Sequence, residues 1–302
     1  MYKKRTDLAL EAHEMWKESA EETANLPGVK AEEYEKEGFK VTKIEILDEQ
    51  GEKELDKPRG KYITIDLGPI NSRAADALQK ASSVIAQELK ALPLELKPDA
   101  PVLVAGLGNR NITPDAVGPK AAEYVIATRH LVTQMPNEFK GFRQVCALTP
   151  GVLGLTGVET GEIIKGVCEH INPSLVIAID ALASRRLNRL CTTVQISNTG
   201  IEPGSGVGNT RFSLTKDSLG VPVVAIGVPT VVDAVTLALD VAETAGVKDL
   251  NPDDLLKSTE NPIVTPKDID RHLCDAAKMI GYGIDFALQD NLTVSDIELF
   301  LS

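Results

Sequence analysis

Aromatic residues, cysteine and histidine are all scarce in this sequence. Aromatic side chains make up 4% of the 302 residues, and there are four cysteines and four histidines. With so few aromatic side chains, the core must consist mainly of valine, isoleucine, leucine and alanine, which suits a sheet covered by helices on both faces. The cysteines lie far apart without a C-x-x-C pair, so we expect reduced thiols and no zinc site. They are Cys146, Cys168, Cys191 and Cys274.

Long apolar runs are missing as well. No stretch reaches the roughly 18–20 apolar residues that a membrane-spanning helix requires. The chain opens with MYKKR, which is not followed by the apolar segment of a signal peptide. We therefore expect a cytoplasmic protein that does not bind a membrane.

Basic residues are fewer than acidic ones. The formal net charge of -12 argues against direct binding to the phosphate backbone of a nucleic acid. A basic partner, or a peptide held by hydrogen bonds, is easier to accommodate. Arg185, Arg186 and Arg189 form the only notable basic cluster, which is either a local basic patch or a solvated face beside a loop.

Short apolar runs alternate with helical stretches from residue 102 onward. This alternation predicts an α/β fold with a doubly wound, mainly parallel sheet flanked by helices. Residues 188–214 interrupt the alternation and are rich in threonine, serine and glycine, so we expect a β-rich insertion or an extended loop there. Upstream, residues 40–47 and 61–67 predict two strands that pair with each other. The other predicted strands are residues 102–105, 145–148, 175–180 and 222–228, and the predicted helices are residues 7–22, 74–92, 116–131, 160–171, 232–244 and 266–288.

An acidic residue follows the first strand of this alternating pattern. The strand leads into GLGNRNITPDAVG, in which Thr113 and Pro114 indicate a helix start and Asp115 falls in the first turn. Such a carboxylate could simply offset the helix dipole. The third glycine of a dinucleotide-binding fingerprint is missing, so the loop is a weak match to that motif.

A second acidic residue, Asp180, ends the continuous apolar strand LVIAID. A carboxylate in that position is costly to desolvate unless it has a partner or a task, and it either caps the next loop or takes part in chemistry. Ligands of open α/β sheets gather at the carboxyl ends of the strands, so we expect Asp115 and Asp180 to share one crevice. The loop LTPGVLGLTG, after another strand, either presents backbone N–H groups to a peptide or is a plain connector. The candidate substrate contacts in and beside these loops are Asn109, Thr149, Gly151 and Arg185.

Two carboxylates at one crevice can hydrolyse an amide without a metal or other cofactor. The ionised acid deprotonates water, while the protonated acid polarises the carbonyl group and later serves the leaving amine. Neither a G-x-S-x-G elbow nor an H-E-x-x-H helix is present. A cysteine nucleophile stays open, although no cysteine lies in a glycine-rich turn or beside a helix start. Each histidine lies in or beside a predicted helix and is not expected to act as a base or ligand; the four are His13, His130, His170 and His272.

Several ordered stretches of the chain match one known family. They include GLGNRNITPDAVGPK at residues 106–120, LTPGVLGLTG at residues 148–157 and VIAIDALASR at residues 176–185. Shorter matches run from RTDLA near the amino terminus through NTGI and PGSGVGN to GIDFAL. Together these stretches resemble the spore germination protease family. The resemblance implies an endopeptidase of the spore core that digests small acid-soluble spore proteins during germination and assembles as a homotetramer.

The same resemblance assigns roles to individual residues. The two catalytic aspartates of the family fall on Asp115 and Asp180, and the family is made as a zymogen that removes its own amino-terminal segment. The run TDLALE has the order of a substrate site: an acid, an apolar residue, a small residue and a second acid. We therefore expect self-cleavage between Asp7 and Leu8, which divides the chain into a pro-segment, residues 1–7, and a single α/β protease domain, residues 8–302.

Two other functions stay open at this point. The Gly-x-Gly-Asn loop, the acid after it and the strand ending in Asp-Ala are also similar to the nickel-dependent hydrogenase maturation proteases, in which two acids and a later histidine bind the metal. Nickel favours such nitrogen ligands. No histidine lies between His170 and His272, so we expect the two acids to act without a metal. The chain could also be a catalytically silent binding protein in which both acids are caps.

Overall fold

The computed structural model describes residues 4–19, 26–68, 76–94, 96–98, 100–202, 212–247, 262–290 and 292–302. In this part of the chain the strands are β1 (Val29–Lys36), β2 (Phe39–Ile46), β3 (Gly60–Asp66), β4 (Val102–Gly106), β5 (Val145–Leu148), β6 (Leu175–Ser184), β7 (Thr193–Ser197), β8 (Val223–Asp233) and β9 (Ile263–Val264). They form one sheet in the order β1-β2-β3-β7-β8-β6-β4-β5, and β9 pairs with β8.

Helices cover both faces of this sheet. They are α1 (Ala9–Ser19), α2 (Glu49–Leu55), α3 (Ala77–Lys90), α4 (Val117–Ala122), α5 (Arg129–Gln134), α6 (Leu153–Thr156), α7 (Thr160–Ile171), α8 (Lys216–Leu219), α9 (Ala234–Thr244), α10 (Ile269–Leu288) and α11 (Val294–Leu301). Among these helices, none has both the length and the apolar character that a membrane span requires.

The parallel strands lie together at one end of the strand order. Strand β4 is parallel to both β5 and β6, and β6 is parallel to β8. Strands β1, β2, β3 and β7 extend the sheet with antiparallel pairings. The predicted α/β fold is confirmed, and so is the pairing of β2 with β3, whose connection contains α2. Strand β7, from the stretch expected to be β-rich, pairs between β3 and β8; residues 203–211 lie outside the described part of the chain.

Alternate residues of β6 contribute to two separate cores. Ile177 and Ile179 belong to the core under α3, α4 and α10, whereas Val176 and Ala178 belong to the core under α7. Side chains alternate between the faces of a strand, so Asp180 lies on the same face as Ala178. A third core joins α1 and α2 to β2 and β3. The register through β7 and β8 places this third core on that same face.

The sequence predicted one helix over residues 116–131, and this prediction was wrong. Helix α4 ends at Ala122 and α5 begins only at Arg129. Between them, the Ile126 N–H donates to Asp285 Oδ1 at 3.0 Å and the Thr128 N–H donates to the Val145 carbonyl at 3.0 Å. These backbone groups bind α10 and β5, so they do not continue a helix.

Candidate active site

Asp115 ends a 3₁₀ turn, Thr113–Asp115, between β4 and α4. Its Oδ2 accepts a hydrogen bond from the Asn109 N–H at 2.7 Å, which closes the loop on itself. Gly108 allows this closure, because its φ is +107° and a Cβ there would lie 2.1 Å from the Asp115 carbonyl oxygen. A side chain at position 108 would therefore prevent the close approach that allows the Asn109 N–H to bind Asp115.

Strand β8 holds the other side of the same turn. Thr230 is completely buried, and its hydroxyl donates to the Pro114 carbonyl at 2.7 Å. The carbonyl of Thr230 in turn accepts from the Thr265 hydroxyl at 2.9 Å. Thr230 was not identified from the sequence, where it is simply a hydroxyl-bearing residue within a mainly apolar stretch.

Asp180 lies within β6, level with Gly227 of β8, and is 5% exposed. Its Oδ1 accepts from the Ala181 N–H at 2.9 Å. Gly227 is needed at this level because a Cβ there would lie 2.4 Å from Leu182 Cδ1. Leu182 occupies the space that a side chain at position 227 would take.

The first turn of α4 contacts β6 immediately before Asp180. A Cβ on Gly118 would lie 2.3 Å from the carbonyl oxygens of both Ile179 and Leu107. The Leu107 N–H also donates to the Ile179 carbonyl at 2.8 Å. Asp115 lies three residues before Gly118 in the connection after β4, and Asp180 directly follows Ile179, which is level with Gly106 at the end of β4. Asp180 is not at the end of its own strand, because β6 continues to Ser184, so the predicted strand over residues 175–180 was too short. The shared crevice of the two acids and the catalytic role of each stay predictions.

The loop after β5 lies further along the same edge. Strand β5 pairs with β4 and not with β6, so Thr149 and Gly151 are separated from Asp180 by one strand. Thr149 is exposed, and the Gly151 carbonyl accepts from the Thr160 hydroxyl at 2.9 Å. Among the candidate substrate contacts, Asn109 is bonded through its N–H directly to the candidate catalytic acid Asp115.

Arg185 binds acidic side chains of the protein itself. It is 3% exposed, and its guanidinium donates to Glu18 at 2.7 Å and to Asp240 at 2.8 Å. The neighbouring Arg186 binds Glu18 at 2.7 Å, and Arg189 binds an acid of α1 at 2.6 Å. The arginine cluster thus attaches α1 to the segment after β6, and the charge of Arg185 is engaged in that attachment.

The segment around Asp7 lies against the end of β6. The Asp7 N–H donates to the Ala183 carbonyl at 2.9 Å, and the Ala183 N–H donates to Asp7 Oδ2 at 2.7 Å. The Gln195 side chain donates to the Asp7 carbonyl at 3.1 Å and accepts from the Ala9 N–H at 2.8 Å. Leu8, between these two contacts, is 0% exposed. Gln195 was not singled out from the sequence, because a glutamine in a β-strand is a common surface residue.

A groove of about 640 Å³ opens beside this segment. Its lining includes Asp7, Leu182, Gln195, Ser197 and Gly227, and we call it the sheet groove. Gln195 is level with Gly227, and Gly227 is level with Asp180. The sheet groove therefore crosses β7 and β8 on the face that carries Asp180.

The architecture is that of an α/β protein with one acidic residue in the connection after β4 and another within the adjacent parallel strand β6. A family model described as germination protease matches residues 9–245. Proteins named "Germination protease" from Caldanaerobacter subterraneus subsp. tengcongensis and Clostridium tetani are 48% and 45% identical to the chain, and the alignments cover 98% and 99% of both partners. One from Clostridium perfringens is 44% identical over 100% of both chains. The chain belongs to the germination protease family, and is thus a peptidase of spore germination.

Proposed function

We propose that Asp115 and Asp180 hydrolyse peptide bonds as a general acid–base pair. The observation that supports this proposal is the close packing of Gly118 against the Ile179 carbonyl, because Asp115 precedes Gly118 by three residues and Asp180 directly follows Ile179. The ionised carboxylate removes a proton from water, and the water oxygen adds to the peptide carbonyl carbon. The protonated carboxyl group then gives its proton to the amine as the C–N bond breaks. Because the two acids share one proton, their titration belongs to the pair.

The substrate that we propose is a small acid-soluble spore protein, bound in the sheet groove as an extended chain. Support comes from Gln195, which binds the carbonyl of Asp7 and the N–H of Ala9 at 3.1 and 2.8 Å. A neighbouring β-strand presents the same pair of groups to an extended peptide. The family likeness supports the proposed substrate, and we propose on the same ground a homotetramer located in the spore core.

We also propose that residues 1–7 are a pro-segment, removed by hydrolysis between Asp7 and Leu8 to leave residues 8–302 as the protease domain. The order of residues in TDLALE supports this site. In the structure the bond is protected, because Asp7 is bound to Ala183 and Leu8 is 0% exposed. The rise of a β-strand separates Ala183 from Asp180 by roughly 10 Å. The segment must therefore leave Ala183 before the bond can reach the acids of the same or another copy.

Digestion of a small acid-soluble spore protein tests the proposal. The wild type, Asp115→Asn and Asp180→Asn are incubated with the substrate, with and without a metal chelator, and the fragments are read by mass spectrometry. Asp275→Asn is the matched control, because Asp275 is exposed on α10. We expect the wild type and the control to cut after an acid, regardless of chelator. Each catalytic variant should be slower by roughly 10³-fold.

Each other outcome favours a different function. Loss of wild-type cutting on chelation favours a metal-dependent peptidase of the hydrogenase-maturation type. Among the described residues, no group of three or more His, Cys, Asp or Glu side chains is placed to hold a metal ion. Unchanged cutting by both Asn variants places the catalytic residues elsewhere. A protein that cuts neither the substrate nor itself is a binding protein of this fold.

A further inference from the structure

Glu11 is a fully buried carboxylate of α1 that the proposed hydrolysis does not use; it is 0% exposed. Its Oε2 accepts from the Thr6 hydroxyl at 2.5 Å and from the Arg185 N–H at 2.6 Å. Its Oε1 accepts from the Arg186 N–H at 3.1 Å and lies 3.3 Å from Arg189 Nε. Burial raises the pKa of Glu11 above its ordinary value, although these hydrogen bonds and Arg189 act against the rise. A carboxylate so placed is costly unless its partners favour the charged form.

The position of Glu11 in α1 directs its carboxylate toward Leu8. Helix α1 begins at Ala9, so Leu8 is the N-cap residue and Glu11 is the third helical residue. In a capping box, the side chain of that third residue reaches back to the N–H of the N-cap residue. Here one hydroxyl stands between them, because the Leu8 N–H donates to Thr6 Oγ1 at 3.0 Å and Thr6 Oγ1 donates to Glu11. The intervening group belongs to the proposed pro-segment.

We propose that Glu11 is the binding site for the α-ammonium group that hydrolysis creates on Leu8. This inference rests on the proposed self-cleavage. One water is consumed: its oxygen adds to the Asp7 carbonyl carbon, the C–N bond breaks, and the products are a new carboxylate on Asp7 and an ammonium group on Leu8. With residues 1–7 gone, Thr6 no longer separates the two groups, and the ammonium group donates directly to Glu11 Oε2.

The ion pair between the Leu8 ammonium group and Glu11 offsets two unfavourable electrostatic effects of cleavage. A positive charge at the amino terminus of a helix is unfavourable by itself, and a buried carboxylate that loses a donor is destabilised. Ala9 stays bound to Gln195, which keeps Leu8 beside Glu11. Glu11 also binds the N–H groups of Arg185 and Arg186, directly after β6, so the pair ties the new terminus to the strand that carries Asp180.

The test uses full-length protein that has processed itself and that mass spectrometry shows to begin at Leu8. The Leu8 amine is acetylated with an activated ester across a pH series, once in native buffer and once in urea. Only the neutral amine reacts, so the midpoint of each rate curve reports the amine pKa. An ion pair with Glu11 is expected to raise the native midpoint about one pH unit above the unfolded one. Burial without an ion pair would lower it.

Variants assign the shift to Glu11. Glu11→Gln is expected to abolish the rise, and Glu11→Asp to restore part of it. Glu14→Gln changes another acid of α1, the one that binds Arg189, and its Leu8 amine should show the wild-type midpoint. A wild-type midpoint at or below the unfolded value would overturn the inference, even if a Glu11 variant fails to fold. Failure to cleave at Leu8 overturns both the self-processing proposal and this one, whereas cleavage with an unshifted amine overturns this one alone.

Discussion

Asp285 is a buried acid away from the candidate active site. It is 1% exposed, its Oδ1 accepts from the Ile126 N–H at 3.0 Å, and its Oδ2 has no partner among the described residues. Burial raises the pKa of Asp285 from 3.8 to about 8. The folded protein therefore keeps a proton on this carboxyl group that the unfolded chain releases above about pH 4.

This difference predicts how stability depends on pH. The folded state binds the extra proton between the two pKa values, 3.8 unfolded and about 8 folded. The contribution of this proton to the unfolding free energy is complete below the unfolded pKa. It is lost as the pH rises toward the folded pKa. Asp285→Asn keeps an acceptor for Ile126 and has no proton to release. Its Tm should fall less between pH 5 and pH 8 than that of the wild type.

The control for this prediction is Asp290→Asn, which changes an exposed acid just beyond α10. The control should follow the wild type at every pH. Parallel Tm curves for the wild type and Asp285→Asn would show that Asp285 is not held protonated in the folded protein.

We expect Thr230 to act as a positioning residue for Asp115. Thr230→Val removes the hydroxyl that binds the Pro114 carbonyl, and leaving that group unpaired should cost about 1–3 kcal/mol of unfolding free energy. The turn that carries Asp115 loses its attachment to β8, so kcat should fall about tenfold to a hundredfold with little change in KM. Steady-state kinetics on a peptide substrate measures both. Thr230→Ser keeps the hydroxyl and should recover most of kcat; a valine variant with wild-type kcat would refute the role.

At the scale of elements, the packing of α4 on β6 depends on Gly118. A Cβ at this position would lie 2.3 Å from two backbone carbonyl oxygens, and backbone cannot move aside as a side chain can. Gly118→Ala should therefore destabilise the fold by about 3 kcal/mol, or prevent folding, and should reduce activity in any folded fraction. Urea unfolding measures the loss. Gly154→Ala is the matched control, because its Cβ meets nothing within 4 Å, and equal stability of the two variants would contradict the packing argument.

The attachment of α1 rests on Arg185. Arg185→Ala leaves Glu18 and Asp240 without their shared guanidinium, while the sheet loses no strand pairing. Amide hydrogen exchange should therefore speed up in α1 and stay unchanged in α10. Arg186→Ala removes a guanidinium that is more exposed than that of Arg185, and a smaller effect is expected. Uniform acceleration across both helices would mean that Arg185 supports the whole fold and not α1 alone.

At the scale of the whole molecule, local patterns identified the parallel strands and missed the order of the sheet. Strand β4 and the first residues of β6 and β8 are buried apolar runs, so these strands are visible without any partner. The sequence missed where β6 and β8 end, because their last residues include polar side chains. The place of β7 between β3 and β8 depends on pairing between residues far apart in sequence, which no local pattern contains. The break between α4 and α5 arises in the same way, from hydrogen bonds to α10 and β5.

The residues of the candidate site also differ in whether a local sequence pattern reveals them. Asp180 stood out because an acid directly after five apolar residues is unusual, and Asp115 stood out because it begins a helix after a glycine-rich loop. Thr230 and Gln195 did not stand out, since a polar residue in a strand is usually solvated, and Glu11 was noticed only as the second acid of TDLALE. Their importance comes from burial and from partners on other elements. Arg185 looked available to bind a substrate, because the acids that bind it lie far away in sequence, on α1 and α9.

The most direct test of the account is the pH dependence of kcat/KM on a peptide that carries TDLALE. If Asp115 and Asp180 share one proton, the wild-type profile is bell-shaped, because the pair is inactive when it has lost the proton or gained a second one. Asp115→Asn and Asp180→Asn should be slower by roughly 10³-fold at the optimum, and Asp275→Asn should retain both limbs. A rate that climbs steadily into the alkaline range, or an Asn variant at position 115 or 180 with the wild-type profile, would contradict the aspartate-pair mechanism.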